Sequence, residues 1–157
     1  MKLLNEFVIK GSPSTVTAQQ KGLRIVHGHP QFFEKKHISE AKADLADQML
    51  TYVPIDPYDC KIYLRVLWLF DKKSLTKKEW RTFNDKRPDL DNLCKGLLDV
   101  MTNVGFWDDD SNIVRLELTK AWSREYPGLF IQIIQMDDDE EQSYQQLIDY
   151  WRHYDND

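Results

Sequence analysis

An apolar stripe bounded by aspartates, over residues 89–110, constrains the fold of this chain more than any other feature. Six apolar side chains recur there at intervals of three or four residues, namely Leu90, Leu93, Leu97, Val100, Met101 and Val104. This spacing predicts a helix with one buried face. Gly105 follows the last of them and supplies the left-handed residue that commonly ends a helix.

Alternating side chains predict strands on both sides of this helix. Residues 60–70 alternate, and their second half is apolar on both faces, which is typical of a central strand. Residues 114–118 alternate between apolar and polar side chains and predict a half-buried strand, and the apolar run at Leu129–Met136 predicts another.

The N-terminal third predicts shorter elements. Residues 7–9 form a short strand that ends in a Gly- and Pro-containing loop, and residues 23–26 form a weak strand. Apolar residues from Ile38 to Tyr52 predict an amphipathic helix that stops before Pro54. The order of elements predicts an α+β protein with a small mixed β-sheet and helices packed mainly on one face.

Composition limits the class of protein. A chain of 157 residues, 41% hydrophobic and 30% charged, fits one domain with a real core. No apolar run approaches the length of a membrane span, and the N-terminus lacks the features of a secretory signal. We therefore expect a cytoplasmic protein without membrane contact, in which Cys60 and Cys94 are reduced and buried.

Acidic side chains stand at both ends of the predicted helix. Asp89 and Asp91 lie at its beginning, and Asp110 follows its end. Residues two apart on a helix point about 200° away from each other, so we place Asp89 before the helix or at its cap. Gathered carboxylates need a cation to offset their repulsion, and oxygen ligands without His or Cys suit Mg²⁺ or Mn²⁺. Lys95, one turn from Asp91, indicates phosphate chemistry.

Each of these residues also has an ordinary structural explanation. An aspartate near a helix start is usually a cap, and Asp91 with Lys95 can form a surface ion pair. Asp108, Asp109 and Asp110 can form a solvated turn. Phosphatases of the haloacid-dehalogenase type are disfavoured, because their D-x-D follows an apolar strand directly. Here Lys86-Arg87-Pro88 precedes it.

Charge is distributed unevenly along the chain. The net charge is −5, but acids dominate residues 137–157, and bases outnumber acids over residues 72–87. This basic segment is expected to neutralise phosphates of a polyanion next to the acidic residues, and its ordinary alternative is a solvated surface loop. Its bases are Lys72, Lys73, Lys77, Lys78, Arg81, Lys86 and Arg87. Trp80 and Trp107 can stack on unpaired bases, although packing is the more usual role of a tryptophan.

The spacing of these motifs resembles the RusA family of Holliday junction resolvases, which are common in bacteria and prophages. The family pattern is roughly D-L-D-N-L-x-K, an apolar helix, and then G-h-h-x-D-D, where h is hydrophobic. The chain carries Asp89-Leu90-Asp91-Asn92-Leu93-Cys94-Lys95 and, after the helix, Gly105-Phe106-Trp107-Asp108-Asp109-Asp110. The clear match covers residues 88–114.

The resemblance implies a small dimeric enzyme that cuts four-way DNA junctions with Mg²⁺, Mn²⁺ being possible. It implies Asp89, Asp91 and Asp110 as catalytic metal ligands and Lys95 as a catalytic aid, with Asp109 as a further metal candidate. Asp108 occupies the variable position of the pattern, so it stays open which of the three consecutive aspartates bind the metal. No small-molecule cofactor is implied.

The predicted function is therefore Mg²⁺-dependent resolution of Holliday junctions by paired nicks, in DNA recombination and repair. Residues 1–136 are predicted to form the nuclease domain. Residues 137–157 are predicted to form an acidic C-terminal extension with a short amphipathic helix. Two alternatives stay open: a nonenzymatic branched-DNA-binding protein, and a nuclease for flaps or other branched DNA.

Overall fold

The structure, a computed structural model, describes residues 1–17, 22–33, 35–72, 74, 76–79 and 82–137. Its strands are β1 (Lys2–Lys10), β2 (Gly22–Val26), β3 (His29–Phe33), β4 (Ile62–Phe70), β5 (Ile113–Trp122) and β6 (Gly128–Gln135). Its helices are α1 (Lys36–Met49) and α2 (Leu90–Val104), with short 3₁₀ turns at Leu50–Tyr52 and Asp110–Asn112. Within these residues no helix has the length and apolar character needed to cross a bilayer.

Four strands form a mixed sheet in the order β1-β6-β4-β5. The pairs β1–β6 and β6–β4 are antiparallel, whereas β4 and β5 are parallel. Parallel neighbours need a long crossover, because the chain must return to the same end of the sheet. Helix α2 lies within that crossover, so the prediction of an α+β protein with a mixed sheet is confirmed.

One face of the sheet packs against the helices. Alternate residues of β4, namely Ile62, Leu64, Val66, Trp68 and Phe70, are buried in a single core with the apolar side of α2. Leu97 and Met101 of α2 are almost completely enclosed. Removing the side chain of such a leucine costs about 2–5 kcal/mol, so the position of α2 on the sheet is strongly fixed.

The other face of the sheet carries a polar network. Arg65 on β4 donates to Glu117 on β5 at 2.9 Å and to Gln132 on β6 at 3.1 Å. The Tyr63 hydroxyl donates to the same Glu117, and Gln132 donates to Glu6 on β1. We call these five residues the outer-face network. They share one face because they occupy matching positions in the registers of the four strands.

The N-terminal region differs from the prediction in two ways. Strand β1 extends well beyond residues 7–9, because its first half pairs with β6 through backbone hydrogen bonds although its side chains do not alternate in burial. The predicted weak strand at 23–26 is β2, but its partner β3 was missed. Pro30 in β3 obscured that strand, since proline is uncommon in strand interiors. The C-terminal helix predicted within 137–157 lies outside the described residues.

Candidate metal and DNA site

Asp89 occupies the N-cap position of α2. Its backbone is extended, with φ −70° and ψ 148°, and its carbonyl accepts the first helical hydrogen bond from Leu93 at 3.1 Å. Its carboxylate makes no capping hydrogen bond and is exposed. The predicted position before the helix is therefore confirmed, whereas the explanation of Asp89 as a side-chain cap is excluded.

Asp91 and Lys95 lie one turn apart on α2, and both are exposed. In the described chain they form no ion pair with one another within 4.0 Å, and no hydrogen bond engages either side chain. The second ordinary explanation, a surface ion pair, is not realised. Asp91 also stands in the first turn, where unpaired backbone N–H groups favour negative charge.

The three consecutive aspartates have different surroundings. Asp109 caps the Asp110–Asn112 turn by accepting a 2.7 Å hydrogen bond from the backbone N–H of Ser111. Hydrogen bonding by the Ser111 side chain, and next by its backbone, lowers the pKa of Asp109. Its carboxylate is thus engaged in local structure. Asp108 and Asp110 are exposed, and the described chain provides no hydrogen-bond partner for either side chain.

Asp110 acts electrostatically on the N-terminal half of α2. Burial raises the pKa of the Cys94 thiol, and the negative charges of Asp110 and then Asp91 raise it further. The loop after α2 therefore brings Asp110 back toward the helix turn that carries Asp91. Cys94 itself is buried, as predicted, whereas Cys60 is only partly buried.

The described residues do not form a complete metal cage by themselves. Across the residues that the structure describes, no three His, Cys, Asp or Glu side chains are arranged to hold a metal ion. The set Asp89, Asp91, Asp110 and Asp109 therefore stays a prediction. The donors present still fit Mg²⁺, which is usually held by one or two carboxylates together with substrate phosphates and water.

The segment before Asp89 is fixed to the outer edge of β5. The backbone carbonyl of Thr82 accepts a hydrogen bond from the N–H of Trp122 at 2.9 Å. Phe83 forms a β-bridge with Ala121. The backbone N–H of Asn84 donates to the carbonyl of Lys120 at 3.0 Å. The Asn84 side chain is 3% exposed and accepts from the backbone of Lys86 at 2.8 Å. Thr82 and Phe83 stay exposed, and the three residues form an additional short strand-like pairing with β5.

Lys120 completes this attachment and was missed from the sequence. Its ammonium donates to the carbonyl of Lys86 at 2.6 Å and to that of Pro88 at 2.7 Å. A signal was available: Val114, Leu116 and Leu118 continue at intervals of two to position 120. A lysine in the apolar phase of a strand indicates a buried or specifically bonded ammonium.

Comparison with known proteins identifies the family of this chain. The model of the family described as Endodeoxyribonuclease RusA matches residues 13–134. The chain belongs to the RusA family. A related protein, the crossover junction endodeoxyribonuclease RusA of Lactococcus phage r1t, is 35% identical over 121 residues, which cover 77% of this chain and 89% of the phage protein. The residues that the family model matches include the whole segment from Asp89 to Asp110.

In this RusA-family chain, the described bases of the basic segment form two groups: exposed bases, and bases that already contact a neighbouring side chain. Lys77, Lys78 and Arg87 are exposed. Lys72 places its ammonium 4.6 Å from the ring centre of Trp122, and Lys86 forms an exposed ion pair with Asp85 at 3.0 Å. Lys73 and Arg81 lie outside the described residues. The bases that can most readily meet phosphate are therefore Lys77, Lys78 and Arg87.

Local turns hold the basic segment of the RusA-family chain in shape. The backbone N–H and hydroxyl of Thr76 both donate to one carboxylate oxygen of Glu79, at 2.8 and 2.9 Å, and the N–H contact is one of the two hydrogen bonds of a capping box. These hydrogen bonds lower the pKa of Glu79. Residues 77–79 form a turn there and no regular helix is assigned among the described residues of the segment.

The tryptophan after α2 has a structural role. Trp107 is 1% exposed, its indole N–H donates to the hydroxyl of Thr102 at 2.8 Å, and its ring contacts Phe106. Stacking on a DNA base is thereby excluded for Trp107 in this structure. The aromatic pair instead anchors the loop that leads to Asp110, whereas Trp80 lies outside the described residues.

Proposed function

We propose that this RusA-family endodeoxyribonuclease resolves four-way DNA junctions at a Mg²⁺ site formed by Asp89, Asp91 and Asp110. One observation carries the assignment: Asp89, Asp91 and Asp110 are all exposed, and the described chain gives none of them a hydrogen-bonding or ion-pair partner. Asp89 and Asp91 begin α2, and the charge of Asp110 reaches the Cys94 thiol of the same helix. Clustered negative charge without a partner is unfavourable in the free protein. A bound cation offsets that cost and keeps coordination positions for a substrate phosphate.

Family membership supports metal dependence, since RusA-type nucleases are metal-dependent in general. The identity of the ion is our proposal. Mg²⁺ is favoured by the all-oxygen donor set, and Mn²⁺ has similar ligand preferences. When bound, such an ion supplies an oriented water nucleophile and stabilises negative charge that develops on the phosphate. Asp109 is the weakest candidate ligand, because its carboxylate already caps a turn.

Lys95 is proposed to act on the phosphate. Its ammonium lies on an exposed face one turn from Asp91 and is not neutralised by a carboxylate of the described chain. A positive charge held there can stabilise the additional negative charge of a phosphoryl transition state. The same charge held in an ion pair would be largely cancelled, so its lack of a partner supports a catalytic role.

The basic segment is proposed to bind the DNA backbone. Lys77, Lys78 and Arg87 precede Asp89 in sequence. The hydrogen bonds of residues 82–84 to the C-terminal part of β5 fix the chain between these bases and Asp89. Cations at this position neutralise phosphates and release counterions. They provide affinity for DNA without sequence information, which fits recognition of a branched shape.

Paired nicking leads us to propose a homodimer. One described domain carries one acidic cluster, whereas resolution of a four-way junction requires two matched nicks on opposite strands. A twofold dimer presents two equal sites to a nearly twofold substrate, and twofold symmetry is the commonest arrangement of homo-oligomers. Action in recombination and repair and a cytoplasmic location are part of the same proposal.

The deciding experiment compares a synthetic four-way junction with a linear duplex and a flap of the same sequence, each with Mg²⁺, Mn²⁺ or EDTA. We expect Mg²⁺-dependent nicks on opposite junction strands and little cleavage of the duplex. Binding of the junction without nicking under every metal condition would favour the nonenzymatic alternative. Equal cleavage of the flap and the junction would favour a general branched-DNA nuclease.

The oligomeric state is tested separately. Light scattering at micromolar concentration, with and without junction DNA, should give the mass of two chains. A chain that stays monomeric when bound to the junction would refute the paired-nick mechanism while leaving single nicking possible. Nicking that follows the square of the protein concentration at low concentration would independently support assembly.

A further inference from the structure

Lys120 occupies an unusual position for a lysine. It pairs in register with Trp68 on β4, so its side chain leaves β5 on the face that packs against the helices. Trp68 is 3% exposed, and Lys120 is partly buried. An ammonium there loses water contacts and must recover hydrogen bonds from the protein. It recovers them from two backbone carbonyls, at 2.6 Å and 2.7 Å.

These two carbonyls belong to the residues on either side of Arg87. The carbonyl of Pro88 is the last acceptor before Asp89, and the carbonyl of Lys86 lies at the end of the basic segment. The backbone carbonyl of Lys120 also accepts from Asn84. Lys120 therefore binds residues 84–88, which lead into α2, through both its main chain and its side chain.

This attachment determines where the acidic cluster starts. The carboxylate of Asp89 makes no capping hydrogen bond, so nothing at its own side chain fixes the N-cap backbone. The position of Asp89 depends instead on helix α2 behind it and on the Pro88 peptide before it. A shift of about 1 Å in a group that positions reacting atoms can cost about 100-fold in rate.

We propose that Lys120 is a positioning residue for the nicking reaction, in which its ammonium fixes the Lys86–Pro88 backbone and thereby the placement of Asp89. The inference rests on the proposed function at the Asp89 site. Lys120 acts through the backbone and touches neither metal nor DNA. Two of its three N–H donors are already bonded to protein carbonyls, which separates it from the exposed lysines of the basic segment.

The test compares three variants. Lys120→Met keeps a long unbranched side chain and removes the donors, whereas Lys120→Arg retains donors for both carbonyls. Lys42→Met is the matched control, because Lys42 is also partly buried and forms a 3.3 Å ion pair with Asp99, which follows Asp91 by eight residues on α2. For each we would measure kcat, KM for the junction, the Mg²⁺ concentration for half-maximal nicking and the thermal midpoint.

We expect Lys120→Met to lower kcat by about 10- to 100-fold and to raise the half-maximal Mg²⁺ concentration, with little change in KM. Lys120→Arg should recover most of the loss. In the metal-free protein, amide hydrogen exchange should become faster in residues 84–91 of Lys120→Met and stay unchanged there in Lys42→Met.

Three results would overturn the proposal. One is a Lys120→Met protein whose kcat, Mg²⁺ dependence and exchange pattern match those of Lys42→Met, with only thermal stability lowered. Another is a raised KM with unchanged kcat, which would make Lys120 a DNA contact. If Lys120→Met does not fold, Lys120→Arg with wild-type exchange but full loss of nicking would also contradict the mechanism.

Failure of the proposed function is distinguishable from failure of this inference. If the unaltered protein nicks no DNA in any metal, the nuclease site is wrong. Amide exchange in residues 84–91 still decides whether Lys120 fixes the backbone before Asp89, because that measurement needs neither metal nor DNA. Unchanged exchange there would reject the positioning role whatever the activity.

Discussion

Two exposed surfaces of the molecule carry charged residues: the outer-face network, and the start of α2 with Asp89, Asp91 and Lys95, which we call the mouth of α2. The charges of the first surface are bonded to other side chains, whereas those of the second are not. In the network, Glu117 accepts from Arg65 and Tyr63, and Arg65 also reaches Gln132. At the mouth of α2, Asp89, Asp91 and Lys95 bond to no side chain of the described protein. Composition alone does not distinguish these two surfaces.

The difference shows which charges are available to a ligand. Hydrogen bonds from Arg65, and next from Tyr63, lower the pKa of Glu117, so its charge is already stabilised by protein partners. A DNA phosphate or a cation would have to compete with those partners. The charges of the α2 mouth are held in place by the backbone and have unused bonding capacity. Exposed charge without partners is thus the more informative sign of a binding site here.

The largest expected effect on junction nicking comes from a substitution of Asp91. Asp91→Asn keeps the shape of the side chain and removes one charge from the metal site. We expect nicking of a four-way junction to fall by about 100-fold or more, because a metal-centred transition state loses several kcal/mol of stabilisation. Junction binding should survive or tighten as repulsion of phosphate decreases.

Glu117→Gln is the matched control for Asp91→Asn, since it makes the same chemical change in the outer-face network. Nicking assays and gel-shift titrations should show near-normal cleavage for this control. Near-normal cleavage by Asp91→Asn as well would remove the distinction between the two surfaces and reject the metal assignment.

The next effect is at Lys95. Lys95→Ala removes a cation that has no partner in the described chain, and we expect turnover to fall by about 10- to 100-fold with little loss of binding. Single-turnover nicking and thermal unfolding would be measured on the same preparations. Lys36→Ala, at an exposed lysine 3.5 Å from Glu40, is a suitable control. A change in thermal stability without a change in turnover would show that Lys95 is structural.

A smaller effect is expected from the basic segment. Replacing Lys77 and Lys78 with alanine should weaken junction binding and reduce the slope of log K against log salt by up to about 0.9 for each lost phosphate contact. The control replaces Lys2 and Lys10, which are exposed on β1 at the opposite edge of the sheet. An equal salt slope for both double variants would show that the segment points away from DNA.

The smallest effect concerns pH and the outer-face network. Glu117 has a lowered pKa in the folded protein, so its ionised form stabilises the fold above its ordinary pKa of about 4.3. That contribution is lost as pH falls through the lowered value. The stability difference between the unaltered protein and Glu117→Gln should therefore be greatest at neutral pH and shrink in acid. Urea unfolding at several pH values would measure it, and a difference that grows in acid would contradict this explanation.

The sequence predicted much of the fold, because strong periodicity and burial coincide in its central elements. The apolar stripe of α2 is buried as expected, and Gly105 ends the helix with φ 96° and hydrogen bonds to the carbonyls of Met101 and Thr102. Strand β4 is central and apolar on its helix-facing side. Strand β3 could not be recognised in the same way, because Pro30 and polar neighbours weaken the local pattern.

The candidate site was predictable only in part. The placement of Asp89 before α2 follows from the two-residue spacing with Asp91 and is confirmed by its extended backbone. Sequence could not show that Asp109 caps a turn or that Asp110 acts on Cys94, because both depend on the path of the loop after α2. The pairing of residues 82–84 with β5 is a tertiary contact, and no local pattern in that segment indicates it.

The order of the strands also bears on how the chain reaches this structure. The parts of the acidic site lie between Ile62 and Trp122, whereas pairing of β1 with β6 joins residues 2–10 to residues 128–135. Closing the larger loop costs more chain entropy, so we expect β4, α2 and β5 to assemble before β1 joins the sheet. Phe7→Ala on β1 should then mainly accelerate unfolding, whereas Leu97→Ala on α2 should slow folding. Chevron measurements that give the opposite pattern would place the N-terminal strand in the folding nucleus.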